Sequence, residues 1–168
     1  MRKRVIIIIL VIAAGLFSLW IGYLWKFFSC DIAGSDPCAE HWILNTSESN
    51  LIKVINAVKK EHPELKPPYE SIAIPEKRNY WYDFTFYYSD TNEDVQTWIR
   101  ATEDSNFTAI ALIAIYQHTD SLTPINEMNP FSRKEINRDY NYFSNKMAIS
   151  KFKSKVLSLL RKKIEDNN

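Results

Sequence analysis

Hydrophobic and polar positions divide the chain into an apolar beginning and a patterned remainder. Residues 5–25, which start at Val5 and end at Trp25, contain no charged side chain. A helix of this length reaches roughly 30 Å, the thickness of the hydrocarbon core of a bilayer. Basic residues flank it on both sides, namely Arg2, Lys3, Arg4 and Lys26. We therefore predict a single-pass anchor in the cytoplasmic membrane, with the N-terminus in the cytoplasm and the remainder outside.

Two other fates of this leader remain open. A cleaved signal peptide has an apolar core of only about 7–15 residues and ends at an Ala-x-Ala-like site. This run is longer and no such site follows it closely, which favours an uncleaved anchor over ordinary cleavage. A lipoprotein anchored through Cys30 is the other alternative, because the small residue Ser29 precedes that cysteine. Phe27 and Phe28 are bulky for such a site. All three fates place the remainder outside the cytoplasm.

The two cysteines, Cys30 and Cys38, bracket a short loop. A disulfide is permitted outside the cytoplasm, and Gly34 and Pro37 allow the loop to turn back. We predict a disulfide that staples the chain where it leaves the membrane. Two unpaired thiols are the alternative, and lipidation of Cys30 would exclude the pairing.

Helical periodicity appears at both ends of the remainder. Ser47 is the predicted N-cap of a helix over 48–62, which Pro63 ends. Ser144 is the predicted cap of a final helix. Its apolar stripe recurs at helical spacing: Ile149, Phe152, Val156, Leu157, Leu159, Leu160 and Ile164.

Period-two alternation predicts strands between these helices. Residues 80–88 place Tyr and Phe on one side of a strand, and 95–101 alternate as the second strand of a hairpin. Residues 107–116 form a continuous apolar run, too short to cross a bilayer. Its isoleucines and flanking turns favour a strand, whereas its alanines leave a core helix as the alternative. Weaker patterns predict a short strand at 71–74 and, within a loop over 118–143, a short helix at 133–140.

The predicted element order α-β-β-β-α indicates an α+β domain. Its antiparallel sheet would carry two helices packed on one face. We expect an anchor at 1–29, a stalk or entry segment at 30–46 that holds a strand or turn, and an extracytoplasmic domain at 47–168. The chain has only three glycines, so turns that need positive φ are expected to use Asn or Asp.

The distribution of charge narrows the classes of partner that the domain is expected to bind. After Lys26 the chain carries 17 basic and 20 acidic residues, a net charge of −3. A mildly acidic domain argues against nucleic-acid binding, which needs cations at the phosphates. Seven cations decorate residues 146–163, and we interpret them as a solvated helix face, with contact to anionic headgroups as the alternative. The Ile-, Lys- and Asn-rich composition favours a bacterial source.

Candidate chemistry is sparse. His118 and Asp120 are the one pair resembling an acid and a base, and such a pair is common by chance. No metal-ligand or cofactor motif is present in the sequence, so neither is predicted. The aromatic strand is more informative, because two helices cover only one side of a sheet. We therefore predict that the other side binds a protein partner through Trp81, Tyr87, Trp98 and Arg100.

These observations predict a membrane-anchored, non-catalytic binding or accessory protein outside the cytoplasm. An immunity-type or a sensory role suits such a domain by analogy alone. A small hydrolase that uses His118 and Asp120, and a structural component of the cell envelope, are the alternatives.

Overall fold

The chain divides into two compact units, Met1–Pro37 and Cys38–Asn168. The computed structural model describes residues 15–18, 20, 38–68, 77–78, 80–117 and 133–167. In the first unit, residues 15–18 and 20 are helical, and most of the predicted anchor lies outside the described residues. Among the helices that are described, none combines the length and the apolar character needed to cross a bilayer.

The second unit is α+β, as predicted. Its described strands are β1 (Glu40–Leu44), β2 (Lys77–Arg78), β3 (Trp81–Tyr88), β4 (Glu93–Ala101), β5 (Thr108–Gln117) and β6 (Arg133–Glu135). Its described helices are α1 (Glu48–Glu61), α2 (Tyr142–Phe152) and α3 (Ser158–Asp166), with a short 3₁₀ turn at Pro63–Leu65. A π-helical turn at Lys153–Leu157 joins α2 to α3. We call α2, this π turn and α3 together the C-terminal helix.

The described strands form one antiparallel sheet in the order β1-β5-β4-β3-β2, and β6 also pairs with β5. Strand β1 pairs with β5 from Thr108 to Leu112, and β6 pairs with it from Ala114 to Tyr116. Both therefore lie along the edge of β5 that β4 leaves free. Residues 107–116 were predicted as a strand, and β5 confirms this. Its residues from Thr108 to Tyr116 are buried, which explains the continuous apolar run.

Helix α1 begins and ends as its sequence predicts. The Ser47 hydroxyl accepts a hydrogen bond from the Asn50 backbone N–H at 3.4 Å, which satisfies one of the free donors of the first turn. The helix ends at Glu61, two residues before Pro63. Its apolar stripe is buried against the sheet: Leu51, Val54, Ile55 and Val58.

The region before the C-terminal helix differs from its prediction. The helix expected at 133–140 is wrong, because residues 133–135 pair with β5 as β6 and a turn follows. The turn reverses at Asn137, whose φ is 61°. The N-cap is Asn141, not Ser144: the Asn141 side-chain oxygen accepts the Ser144 backbone N–H at 2.9 Å. Among the described residues, Asn92 is the other position with positive φ, which confirms the expected reliance on asparagine.

One hydrophobic core joins both helical regions to one side of the sheet, which we call the helix face. Phe84, Phe86 and Tyr88 of β3 contribute to it, as their alternation predicted. Tyr80 does not, because it lies exposed in the turn before β3. The C-terminal helix supplies a stripe that the sequence also predicted: Ile149, Phe152, Val156, Leu157, Leu159, Leu160 and Ile164. Phe152 stacks on Trp42 with ring centroids 5.3 Å apart and meets Phe86 edge-on at 6.3 Å.

Candidate functional site

The other side of the sheet, which we call the second face, has a different composition. Strand β5 directs Ile110, Leu112 and Ile115 into the core cluster of the helix face. Between them it places alanines, Ala109, Ala111 and Ala114, on the second face. The alternation survives an irregularity in pairing between Gln96 and Thr97 of β4, where Ile113 forms a bulge. The central strand of this face therefore presents small side chains.

Larger side chains flank these alanines on the neighbouring strands. Ala109 pairs with Ile43 of β1 on one side and with Arg100 of β4 on the other. Ala111 likewise pairs with His41 and Trp98. Ile43 is 52% exposed, and His41 and Arg100 are also exposed. Ala109 and Ala111 themselves are 5% and 0% exposed, so the surface of this face is formed by the larger side chains on both sides of them.

Trp98 is the residue that organises this end of the second face. It is half-buried and packs against a small cluster formed by Ile113, Ala114 and Tyr116. The Arg100 guanidinium lies over its indole ring, 5.4 Å from the ring centroid. This distance suits a cation–π contact. The indole is thus in contact with the Ile113 cluster on the sheet side and with the Arg100 guanidinium over its ring.

The four predicted binding residues do not form one group. Trp81 and Arg100 each lie one residue beyond the Tyr82–Ile99 pair, so they share the end of the hairpin that carries Trp98. Tyr87 follows Trp81 by six residues, a distance of roughly 20 Å along a strand. Its hydroxyl donates to the Asn92 side-chain oxygen at 2.7 Å. The structure brings together Trp81, Trp98 and Arg100, which with Ile43 we call the Trp98 surface, and leaves Tyr87 apart.

A cluster of charged groups lies at the opposite end of the β3–β4 hairpin. The ammonium groups of Lys151 and Lys155 stand 4.4 and 5.3 Å from the centroid of the Tyr88 ring. Each also reaches a carboxylate, Lys151 to Glu93 at 2.9 Å and Lys155 to Asp90 at 2.7 Å. Two cations thus meet two anions around a buried ring. The arrangement fastens the hairpin turn to the C-terminal helix.

The pKa values in this cluster follow from its geometry. The hydrogen bond from Lys155 holds the pKa of Asp90 below its ordinary value. Burial raises the pKa of Tyr88, and the carboxylates of Glu93 and Asp90 raise it further. The Tyr88 hydroxyl finds no hydrogen-bond partner among the described residues. The Tyr88 phenol is neutral and buried, and the charges around it are paired with one another. We therefore interpret this cluster as a structural contact between the hairpin turn and the C-terminal helix.

The sequence missed one exposed surface on the C-terminal helix. Tyr142, Phe143 and Met147 are 72%, 77% and 73% exposed. Solvent-exposed apolar clusters of this kind commonly mark contact sites. A signal was present in the sequence for Phe143 and Met147, which lie about half a helical turn from the buried stripe of Ile149 and Phe152. Tyr142 precedes Ile149 by two turns, so helical spacing does not indicate its exposure.

A groove lies further along the same helix. It has a volume of about 460 Å³, and the Lys153 ammonium stands 5.7 Å from the centroid of the Trp42 ring inside it. Its lining combines one aromatic ring with mostly cationic and polar side chains: Trp42, Lys153, Leu157, Ser158, Arg161, Lys162 and Glu165. The sequence did not indicate this groove, because Trp42 reaches the helix only through the pairing of β1.

Within the part of the chain that the structure describes, the remaining predicted residues form no further site. His118, Asp120 and Cys30 lie outside the described residues. Cys38 is disulfide-bonded, and the sequence holds one other cysteine, Cys30. His62 contacts the Glu64 carboxylate at 3.1 Å beside the end of α1. Within the described ranges, no three His, Cys, Asp or Glu side chains are grouped as metal ligands.

Comparison with known proteins adds no relative to this picture. No protein-family model, curated protein or solved structure matches the chain.

Proposed function

We propose that this chain is a membrane-anchored, non-catalytic binding protein. Residues 5–25 hold it in the cytoplasmic membrane with the N-terminus in the cytoplasm, and its α+β domain recognises a protein partner outside. The observation that carries the proposal is the Trp98 surface. An immunity-type role, in which the partner is a toxin, and a sensory role are both forms of this function.

The composition of the Trp98 surface supports recognition of a protein. Tryptophan and arginine are the residues most enriched at the energetic centres of protein interfaces. Here Trp81, Trp98 and Arg100 lie on the adjacent strands β3 and β4. The exposed Ile43 stands on β1, across Ala109 from Arg100. Ile43 and Arg100 stand on either side of the buried Ala109, so a partner would contact these larger side chains and not the alanine between them.

The rigidity of the Trp98 surface is a second argument. Side chains that are disordered before binding lose rotamer freedom on association, which costs about 0.5–1.5 kcal/mol each. The Trp98 indole is already packed on Ile113 and covered by the Arg100 guanidinium. A partner that contacts it meets a surface already held in its bound form.

Site-specific photo-crosslinking in the native membrane tests the proposal. A photoreactive amino acid at position 43 or 100 is expected to give one discrete adduct. Matched positions are 53 and 60, which are exposed on α1 in the other layer of the domain. Arg100→Glu should abolish the adduct formed from position 43. Adducts of equal yield from both layers, or none from positions 43 and 100, would contradict the proposal.

The anchor is tested separately. Full-length protein is expected to stay in the membrane pellet after alkaline carbonate extraction, and external protease should degrade the domain in spheroplasts but not in inverted vesicles. A cleaved leader would shorten the mature protein, and lipidation would add a diacylglycerol mass to Cys30. Recovery of intact, full-length chain in the cytosol would refute the location.

A further inference from the structure

The seven cations of the C-terminal helix separate into two sets. Three are paired with carboxylates of the domain: Lys151 with Glu93, Lys155 with Asp90 and Lys163 with Glu61. The other four have no ion pair with any carboxylate of the described residues: Lys146, Lys153, Arg161 and Lys162. The paired set holds the helix to the rest of the domain. The second set is available to an external anion.

Exposed apolar side chains accompany these available cations. Tyr142, Phe143 and Met147 lie in the first two turns of α2, with Lys146 among them. The Tyr142 and Phe143 rings meet edge to face with centroids 5.5 Å apart. Lys153 follows Lys146 by seven residues, which is about two helical turns, so both lie on one side of the helix. Tyr142 and Phe143 precede Lys146 by four and three residues and share this side, and Met147 lies about 100° further around the axis.

The groove extends this side of the helix in the C-terminal direction. Lys153 forms part of its wall, and Arg161 and Lys162 continue the wall beyond the π turn. Trp42 supplies an aromatic ring at the same place. One carboxylate, Glu165, also lines the groove. The outer side of the helix thus presents an apolar group at one end and a cationic groove with an aromatic wall at the other.

We propose that this outer side of the C-terminal helix docks on the surface of an anionic lipid bilayer. Tyr142, Phe143 and Met147 enter the boundary between headgroups and acyl chains, where amphipathic rings are favoured. The four available cations contact lipid phosphates. Each cation near an anionic leaflet strengthens binding about fivefold.

Charge complementarity decides in favour of this occupant. The chain after Lys26 is acidic overall, with a net charge of −3, so an anionic membrane repels most of it. Only a side of the domain where cations predominate is attracted to the anionic membrane. The attraction therefore sets the orientation of the domain as well as its affinity. The exposed apolar group lies on one helix and has cations beside it, a combination typical of helices that lie in a membrane interface.

The test compares full-length protein in vesicles of phosphatidylcholine alone with vesicles that also contain phosphatidylglycerol. Lysine acylation is read by mass spectrometry at Lys146, Lys153 and Lys162. Labelling at these positions is expected to fall in the anionic vesicles to about one fifth or less of its neutral value. Lys53 and Lys60, exposed on α1, serve as internal controls and should not change. High salt should restore labelling, because it screens the attraction.

Charge reversal provides the second measurement. In wild-type protein, oxidation of the exposed Met147 by peroxide should be slower in anionic than in neutral vesicles. The double variant Lys153→Glu, Arg161→Glu should lose this protection, whereas the matched variant Lys53→Glu, Lys60→Glu should retain it. Equal labelling and equal oxidation in both kinds of vesicle would overturn the proposal. So would protection seen only in native membranes that contain other proteins, since the occupant would then be a protein.

This inference does not depend on the proposed anchor or on the Trp98 surface. A chain that fails to float with neutral vesicles refutes the anchor, while the difference between neutral and anionic vesicles still tests the docking. Arg100→Glu should leave that difference unchanged. The two proposals therefore fail through different measurements.

Discussion

The two faces of the sheet are formed by the same strands, but they carry different kinds of side chains. On the helix face, β5 directs Ile110, Leu112 and Ile115 into a core that it shares with α1 and the C-terminal helix. On the second face the same strand presents Ala109 and Ala111, and exposed side chains stand on the strands beside them. On the helix face the side chains must fill the available volume, because a packed interior tolerates few voids. On the second face the alanines are buried as well, but larger side chains around them, Ile43 and Arg100 among them, remain exposed.

The largest expected effect lies on the helix face. Phe152 is fully buried between Trp42 and Phe86, so Phe152→Ala should lower the free energy of unfolding by about 3–5 kcal/mol. Urea denaturation of the full chain in nanodiscs, followed by circular dichroism, measures it. Ala148→Gly, in the preceding turn, is the smaller change for comparison. A loss below about 1 kcal/mol for Phe152→Ala would show that this face is not the main core.

Truncation of an aromatic residue to alanine on the second face is expected to have a smaller effect on stability than on the helix face. Trp98 is half-buried on Ile113, so Trp98→Ala should lower the free energy of unfolding by about 1–2 kcal/mol, less than Phe152→Ala. It should also abolish the adduct formed from position 43. The assay pairs denaturation with crosslinking in one set of variants. If Trp98→Ala proved as destabilising as Phe152→Ala, the second face would be a second core and not a binding surface.

A third prediction concerns an exception on the helix face itself. The Tyr88 hydroxyl is buried and lacks a hydrogen-bond partner among the described residues, which leaves its desolvation uncompensated. Tyr88→Phe is therefore expected to raise the free energy of unfolding by up to about 1 kcal/mol. Tyr82→Phe on the same strand is the control and should give no gain. A destabilised Tyr88→Phe variant would mean that the hydroxyl itself stabilises the fold.

The smallest effect is the response to acid. The hydrogen bond from Lys155 lowers the pKa of Asp90 from its ordinary value of 3.8. A carboxyl whose pKa is depressed by folding stabilises the native state above that ordinary value, and the contribution is lost as pH falls through the lowered pKa. Asp90 is half exposed, so solvent screens the pair and the effect is small. Melting temperatures between neutral pH and pH of about 3 should fall less for Lys155→Gln than for wild type. Parallel curves would contradict this.

Much of the fold was predictable because its periodicity is local. Alternation over β3 and helical spacing over α1 identify both elements from adjacent residues. Strands β1 and β6 are short, and each exists only through pairing with β5. Tertiary pairing also overrode the helix expected at 133–140. The sequence indicated a strand or turn within 30–46 without locating β1, and no pattern within three residues could have revealed β6.

In the candidate sites, too, some features follow from local spacing and others depend on the pairing of distant strands. Alternation places Trp98 and Arg100 on one face, and the sequence predicted both. Their association with Ile43 depends on the pairing of β1, and the groove at Trp42 depends on it too. In β5 alanine alternates with larger residues, but alanine is itself apolar, so the segment resembles one continuous run. The outward position of Phe143 and Met147 is equally evident from helical spacing, whereas that of Tyr142 is not, because it lies two turns before Ile149.

The π turn at Lys153–Leu157 has a consequence for chain length. Each residue of a π-helix advances about 18° less around the axis than one in an α-helix, so five residues rotate the next helical segment by roughly the span of one residue. Phe152 and Ile164 can both be buried because of this offset. A straight α-helix with the same number of residues would rotate Leu160 and Ile164 towards solvent. A helix one residue shorter would keep them inside. Deletion of one residue within this turn is therefore expected to convert it into an α-helix while Phe152 and Ile164 stay buried.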